Sequence, residues 1–226
     1  MNLCIHYGFG DYVICYGLVK ELARRNDEVT LFAIPHRSRL HIENIKRLYA
    51  SIPNVIISTD NPKSYEDTVY IGWDKFFDAV LKGYNSPFPN FFYEQAGVPL
   101  NLLWDNFFFE RNITREKEVY YDILGLKDGE VYDFIHDDPS RGFIIRKEYV
   151  DPSVRIIRLS GIEDVSILDT LYLVEHSRAL HTFPTGLVPF VDQMNIQHNN
   201  LNLHRYVRPK EYDQPILKLN WNIWKS

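Results

Sequence analysis

The sequence predicts an α/β protein made of two halves, each with a parallel sheet whose strands alternate with helices. Two observations lead to this prediction. Short apolar runs rich in β-branched and aromatic residues recur along the chain, separated by segments with helical spacing, which is the pattern of βαβ units. In addition, the succession of strand, glycine turn and helix at the N-terminus returns in the second half of the chain.

The N-terminal stretch combines an apolar run, Asn2–Ile5, with glycines at positions 8 and 10. We expect Gly8 and Gly10 to form a sharp turn that leaves room for a ligand. Asp11 follows in or near the first helical turn, where a carboxylate suits the helix dipole. Ligands of open α/β sheets bind beyond the carboxyl ends of the strands, so Asp11 is a candidate general base and the glycines are candidate substrate-binding residues. The alternative is that Asp11 only caps the helix. The helix itself is predicted from Ile14, Leu18 and Leu22, which share one face.

This glycine turn does not have the pattern of a dinucleotide site. The dinucleotide fingerprint needs a third glycine or an alanine where this chain has Val13. The carboxylate of Asp11 would also repel a pyrophosphate. We therefore expect no nicotinamide or flavin cofactor, and no other cofactor.

The remainder of the first half continues the βαβ pattern. Strands are predicted at Glu28–Ile34, Asn54–Ser58 and Val69–Gly72, with a helix over 41–52. The basic loop after the second strand, with His36, Arg37 and Arg39, could hold a substrate anion or be a solvated loop. From Trp73 to Arg111 the chain is dense in aromatic residues and contains a predicted helix that Gly97 ends. We take this stretch as the crossing between two domains, 1–110 and 111–226.

The second half begins with a predicted helix that opens in the charged segment from Glu110 and reaches Leu124. Further helices are expected over 166–176 and 188–194, and strands over 130–135, 154–159 and 179–183. Two polar segments follow strands of this half, the loop from His136 to Gly142 and the turn from Pro184 to Leu187. They supply the candidate substrate-binding residues His136, Arg141, Thr185, Gly186 and Leu187.

No metal site is expected. Asp137 and Asp138 are adjacent, so on an extended strand their side chains point to opposite faces, and Pro139 follows. His181 is more readily explained as a strand-end histidine with satisfied polar atoms than as a ligand.

Composition narrows the class of protein. The 226 residues are 45% hydrophobic and carry a net charge of −5, so nucleic acid is not an expected partner. Cys4 and Cys15 lie in apolar segments and are expected to be buried thiols rather than a disulfide. No apolar run long enough for a membrane span occurs, and the N-terminus has no basic signal-peptide region. A cytoplasmic protein is therefore expected, and nothing in the composition fixes its oligomeric state.

The two glycine turns resemble a known family. Gly10 and Asp11, followed by a helix with Leu18 and Leu22, resemble the N-terminal signature of the heptosyltransferase-like glycosyltransferases, glycosyltransferase family nine. The segment Thr185–Leu187 resembles the Asp-Thr-Gly-Leu turn of that family, although Pro184 replaces the aspartate and Pro189 stands where the family often has histidine. The short chain is also similar to compact glycosyltransferases of large viruses and phages.

The resemblance implies a GT-B arrangement, in which two Rossmann-like domains with parallel sheets face a central cleft. It implies transfer of a sugar from a nucleotide-sugar donor to a glycan or other hydroxyl acceptor, with inversion and without a metal. Asp11 would be the general base in an acceptor-side domain. The donor phosphates would be bound by the other domain, through the 185–187 turn and cations of the preceding loop, Arg141 first and His136 second.

Two other classes of function remain open from the sequence. A non-catalytic nucleotide- or glycan-binding protein would keep both turns but need no base. Another nucleotide-dependent enzyme on a doubly wound sheet, such as an epimerase or reductase, needs the full glycine fingerprint and often a Tyr-x-x-x-Lys pair. Tyr16 and Lys20 have that spacing but lie in the predicted first helix.

Overall fold

The computed structural model describes residues 1–5, 8–33, 41–207 and 216–225, with the backbone alone at positions 73, 74, 140 and 161. The basic loop of residues 36–39 lies outside these ranges. Internal contacts group the described residues into two compact units. The first comprises Met1–Glu110, joined by Ile216, and the second comprises the rest from Arg111 onward.

The first unit contains a parallel sheet of four strands in the order β3-β2-β1-β4. The strands are β1 (Asn2–Ile5), β2 (Val29–Phe32), β3 (Val55–Ser58) and β4 (Thr68–Ile71). The helices are α1 (Phe9–Ile14), α2 (Tyr16–Arg25), α3 (His41–Tyr49), α4 (Trp73–Leu81), α5 (Phe88–Ala96) and α6 (Leu102–Asp105). Strand order reverses between β1 and β4, and such a reversal is where open α/β sheets bind ligands.

The second unit contains a parallel sheet of five strands in the order β6-β5-β7-β8-β9. The strands are β5 (Tyr132–His136), β6 (Arg155–Arg158), β7 (Ala179–Thr182), β8 (Leu201–His204) and β9 (Trp221–Trp224). The helices are α7 (Ile113–Glu118), α8 (Leu171–His176) and α9 (Leu187–Gln193). Here the order reverses between β5 and β7. The predicted α/β class with two parallel sheets is confirmed.

The first long helix is divided, although its apolar spacing predicts one continuous helix. The division falls at Cys15, which ends α1 and precedes α2. Around it, the buried hydroxyl of Tyr49 donates to the carbonyl of Tyr12 (2.7 Å), and that of Tyr93 donates to the carbonyl of Ile14 (3.0 Å). Tertiary hydrogen bonds from two other helices thus surround the break. Local periodicity cannot reveal them, because they come from residues far along the chain.

Two other predicted helices are shorter than expected. The helix predicted from Glu110 to Leu124 begins at Ile113, and its last turn, Val119–Ile123, is a π-helix. The helix predicted over 166–176 consists of a 3₁₀ turn, Ile167–Asp169, followed by α8. Strands β8 and β9 were not predicted from the sequence. No helix within the described ranges has both the length and the apolar character needed to cross a bilayer.

Two buried carboxylates of the second unit, Glu116 and Asp133, are paired with arginines. Glu116 is completely buried, and the guanidinium of Arg111 donates to both its oxygens and to those of Glu175, with a shortest distance of 2.6 Å. Asp133 on β5 is likewise buried and accepts two hydrogen bonds from Arg178, at 2.8 and 2.7 Å. A buried charge needs such a partner, because its desolvation would otherwise cost several kcal/mol.

Candidate functional site

Three polar side chains meet where the strand order of the second sheet reverses. His136 ends β5, and Thr182, its partner in register, ends β7. Thr185, in the turn before α9, approaches them: its Oγ1 lies 2.9 Å from Nδ1 of His136 and 3.4 Å from Oγ1 of Thr182. The structure therefore brings together two residues that the sequence proposed for the same site, His136 and Thr185. Thr182 was missed, because its contribution comes from strand register.

His136, the second choice for a phosphate-binding cation, is neutral in the protein without ligand. Burial lowers its pKa to about 4, although the neighbouring carboxylates of Asp137 and Asp138 act in the opposite direction. The imidazole is consequently neutral at pH 7. Without a bound anion, His136 therefore offers a hydrogen bond rather than a positive charge.

The other two residues of the predicted turn differ in what they offer. Gly186 precedes α9 with an ordinary helical backbone (φ −60°, ψ −19°). The side chain of Leu187 is completely buried, while its backbone N–H lies 3.4 Å from Oγ1 of Thr185. The side chain of Leu187 therefore packs in the core, and its backbone amide contacts the hydroxyl of Thr185 in the turn.

Arginines lie beside this cluster, each with a carboxylate. Nε of Arg141 is 2.5 Å from Oδ2 of Asp138, and its guanidinium lies over the ring of Phe143, 5.1 Å from the centroid. Arg158, at the end of β6, pairs with the buried Asp137. Arg158 was not among the predicted site residues, although its position at the end of a strand that pairs with β5 points to the same end of the sheet.

The carboxylates of Asp137 and Asp138 are thus paired with arginines rather than arranged to bind a metal ion. Asp137 also accepts a hydrogen bond from the hydroxyl of Ser160 at 3.0 Å. Among the residues that the structure describes, no group of three or more His, Cys, Asp or Glu side chains is placed to hold a metal ion.

In the first sheet, the candidate residues follow β1. Asp11 is the third residue of α1, only 8% exposed, and its Oδ2 accepts a hydrogen bond from the backbone N–H of Gly8 at 3.1 Å. Gly8 has an extended backbone (φ −88°, ψ 143°), so its conformation does not require glycine. The reason for glycine is space, since a Cβ at this position would lie 2.9 Å from Oδ2 of Asp11.

Gly10 is not part of the turn. It lies within α1, so the expectation that both glycines shape the turn is wrong for this residue. Asp11 does adopt the capping geometry that the sequence analysis held open, since its side chain bonds the amide preceding the helix. A capping contact does not prevent the carboxylate from also acting as a base.

A pair of buried histidines lies next to the site in the same sheet. Nδ1 of His181 on β7 is 3.0 Å from Nε2 of His204 on β8. Burial lowers the pKa of both, that of His204 to about 3 with a further contribution from the charge of His181. His181 is therefore a satisfied core histidine, as the sequence indicated.

These depressed values predict that the native protein loses stability in mild acid. His136 and His204, whose pKa values are about 4 and about 3, stay neutral in the folded protein at pH values below 6.5, where the unfolded chain takes up protons. The lowered pKa values of His181 and His198 act in the same direction. Their contribution to the free energy of unfolding is complete above pH 6.5 and is lost as the pH falls toward 4. The two protons of His136 and His204 correspond to a slope of about 2.7 kcal/mol per pH unit.

Urea unfolding between pH 7.5 and pH 4.5 measures this slope. A His204→Phe variant, which keeps a ring in the same place, should have a slope smaller by about 1.4 kcal/mol per pH unit, since one proton fewer is linked to unfolding. A free energy of unfolding that stays constant from pH 6.5 to pH 5 would contradict the assignment of neutral buried histidines.

Comparison with known proteins gives information about the fold of this chain. No protein-family model matches the chain, and no curated protein matches it either. Among solved structures, the chain is similar to the glycosyl transferase family 9 structure from Veillonella parvula DSM 2008. The TM-score is 0.55 at 8% sequence identity, and the match covers 100% of this chain and 85% of the other. The chain accordingly has a glycosyltransferase-like α/β fold.

Proposed function

We propose that this protein is a glycosyltransferase that moves a sugar from a nucleotide sugar to a hydroxyl acceptor, with inversion and without a metal. The second unit binds the donor and the first unit carries the base. The fold shared with a family 9 glycosyltransferase supports the class of enzyme. The two glycine turns that resemble that family lie after a strand of each sheet, where ligands of α/β proteins bind.

The observation that carries the proposal is the cluster of His136, Thr182 and Thr185 at the strand-order reversal of the second sheet. The half-buried Thr185 offers a hydroxyl at this edge. Arg141 lies in the loop after β5, and Arg158 is the last residue of β6. Hydroxyl and guanidinium donors are what the two phosphates of a leaving nucleoside diphosphate require.

In the first unit, Asp11 is proposed to remove the proton of the acceptor hydroxyl as that oxygen attacks the anomeric carbon. The amide of Gly8 donates a hydrogen bond to the carboxylate and holds it in place. The bond between the anomeric carbon and the diphosphate oxygen breaks, and the nucleoside diphosphate leaves with the electron pair. A protein that only binds nucleotides would keep the cluster and show no dependence on Asp11.

Arg141 is proposed to exchange its contact with Asp138 for a contact with the diphosphate. Replacement by alanine should weaken binding of the nucleoside diphosphate by about 1–3 kcal/mol, the cost of a lost charge-assisted hydrogen bond. Calorimetric titration with ADP, CDP, GDP and UDP measures this effect. Asp138→Asn should leave binding unchanged or tighten it, because the carboxylate competes with the phosphates for Arg141.

Arg155 provides a matched control. It also pairs with a carboxylate, Glu130, but stands at the first residue of β6 and therefore at the opposite edge of the sheet. Arg155→Ala should leave nucleotide affinity unchanged. Equal affinities of the wild-type protein and Arg141→Ala would remove Arg141 from the donor site.

A further inference from the structure

The hydroxyl groups of the cluster allow the proton on His136 to be located. Each threonine hydroxyl has one hydrogen, and a neutral imidazole has one N–H whose position is set by its surroundings. The hydroxyl of Thr182 donates to the carbonyl of Phe183 at 3.0 Å, because a carbonyl can only accept. Thr182 Oγ1 can therefore only accept in its remaining contacts.

One of those remaining contacts is with Nδ1 of His136, at 3.4 Å. It is a hydrogen bond only if Nδ1 carries the proton. The same N–H then also donates to Oγ1 of Thr185 at 2.9 Å, as a bond shared between the two threonines. With the proton on Nε2, the hydroxyl of Thr185 would have to donate to His136, and the contact between Thr182 and His136 would contain no hydrogen.

We propose that His136 is a positioning residue, which carries its proton on Nδ1 and holds Thr185 with the hydroxyl hydrogen directed to a phosphate oxygen of the donor. This inference rests on the proposed function for the identity of the ligand. Oγ1 of Thr185 accepts from His136 and from the amide of Leu187, so its hydrogen is left for donation. In the absence of ligand it can turn to Thr182, 3.4 Å away, and an anionic oxygen is the stronger acceptor.

The arrangement also explains why a neutral histidine stands at this position. A side chain that only accepts would draw the hydroxyl hydrogen of Thr185 toward itself and away from the ligand. An N–H donor on His136, at the end of β5, fixes the direction of that hydroxyl. The role requires an N–H at the position of Nδ1 and no positive charge.

Nitrogen NMR of ¹⁵N-histidine-labelled protein tests the first part directly at pH 7. The His136 signals are assigned by their loss in His136→Asn. The expected result is the Nδ1–H tautomer in the free protein and in the presence of ADP, CDP, GDP or UDP. An Nε2–H tautomer in the free protein would overturn the inference.

Calorimetry with the same four nucleoside diphosphates tests the second part. His136→Asn places an amide N–H close to the position of Nδ1 and should bind within about threefold of wild type. His136→Leu and Thr185→Val should each weaken binding about tenfold, and the double variant should be no weaker than either alone, since both remove one interaction. Losses that multiply, or an Asn variant as weak as the Leu variant, would contradict the positioning role.

The NMR and calorimetric measurements distinguish failure of this inference from failure of the proposed function. If the wild-type protein binds none of the four nucleotides, the proposed function fails, while the tautomer measured in the free protein still decides the assignment of His136. Melting temperatures of the variants show whether each is folded, and the NMR measurement uses the wild-type chain, so it does not depend on their stability.

Discussion

Asp11→Asn is expected to lower the rate of sugar transfer by about 10²–10⁴-fold, the usual contribution of a general base. The amide oxygen of asparagine can still accept the hydrogen bond from Gly8, so the start of α1 should be preserved. Asparagine cannot take up a proton at neutral pH. Turnover should therefore fall while the affinity for nucleoside diphosphate and the melting temperature change little.

The measurement is the initial rate of nucleoside diphosphate release, with affinity and melting temperature recorded for the same samples. Glu43→Gln is a suitable control, because Glu43 lies in the first turn of α3 but its side chain is exposed. Its rate should equal that of the parent. A transfer rate of Asp11→Asn equal to the parental rate would reduce Asp11 to a helix-capping residue, and the base would have to be sought elsewhere.

Gly17→Ala is expected to cost at least about 3 kcal/mol of stability, toward the upper end of overpacking effects. Gly17 lies in α2, where an added Cβ would be 1.9 Å from the backbone oxygen of Leu102 and 2.7 Å from its carbonyl carbon. Both atoms belong to the backbone and cannot turn aside as a flexible side chain can. α2 and α6 would have to separate, which would also disturb the contact of Tyr93 with the end of α1.

Thermal unfolding measures this effect. A loss of about 3 kcal/mol corresponds to roughly 6–12 °C in a protein of this size. Gly129→Ala is the control, since Gly129 has a positive φ of 77° but no atom within 4 Å of an added Cβ. It should cost only about 1–2 kcal/mol, the penalty of the left-handed backbone. A Gly17→Ala protein that melts within 2 °C of the parent would show that the two helices are not packed as described.

The sequence predicts those elements whose local pattern agrees with their tertiary surroundings. β1 and β7 are largely buried, and both were placed correctly, as was the turn with Thr185 that follows β7. β8 was missed because its surroundings in the sequence are rich in asparagine, a residue depleted in strands. In the structure Asn202 is buried, and its side-chain oxygen accepts from Trp224 Nε1 at 3.0 Å, so a cross-strand contact supports the strand.

The candidate site was predictable in part for a similar reason. The carboxyl ends of parallel strands meet at one edge, so His136 and Thr185 could be assigned to one site from strand assignments alone. The ionisation of His136 could not be predicted, since it depends on burial, and neither could the contribution of Thr182, which depends on register with β5. The division of the first helix at Cys15 was hidden for the same reason, because tyrosines of α3 and α5 bond the carbonyls beside it.

The most direct test of the donor site is a crystal structure of the protein with the nucleoside diphosphate that binds most tightly in the calorimetric series. If the second unit binds the donor, a phosphate oxygen should lie within about 3 Å of Oγ1 of Thr185, the length of an ordinary hydrogen bond. The guanidinium of Arg141 should have turned from Asp138 toward the same diphosphate. A nucleotide bound beside Gly8 and Asp11 at the first sheet, with the edge around His136 and Thr185 left empty, would contradict the assignment of donor binding to the second unit.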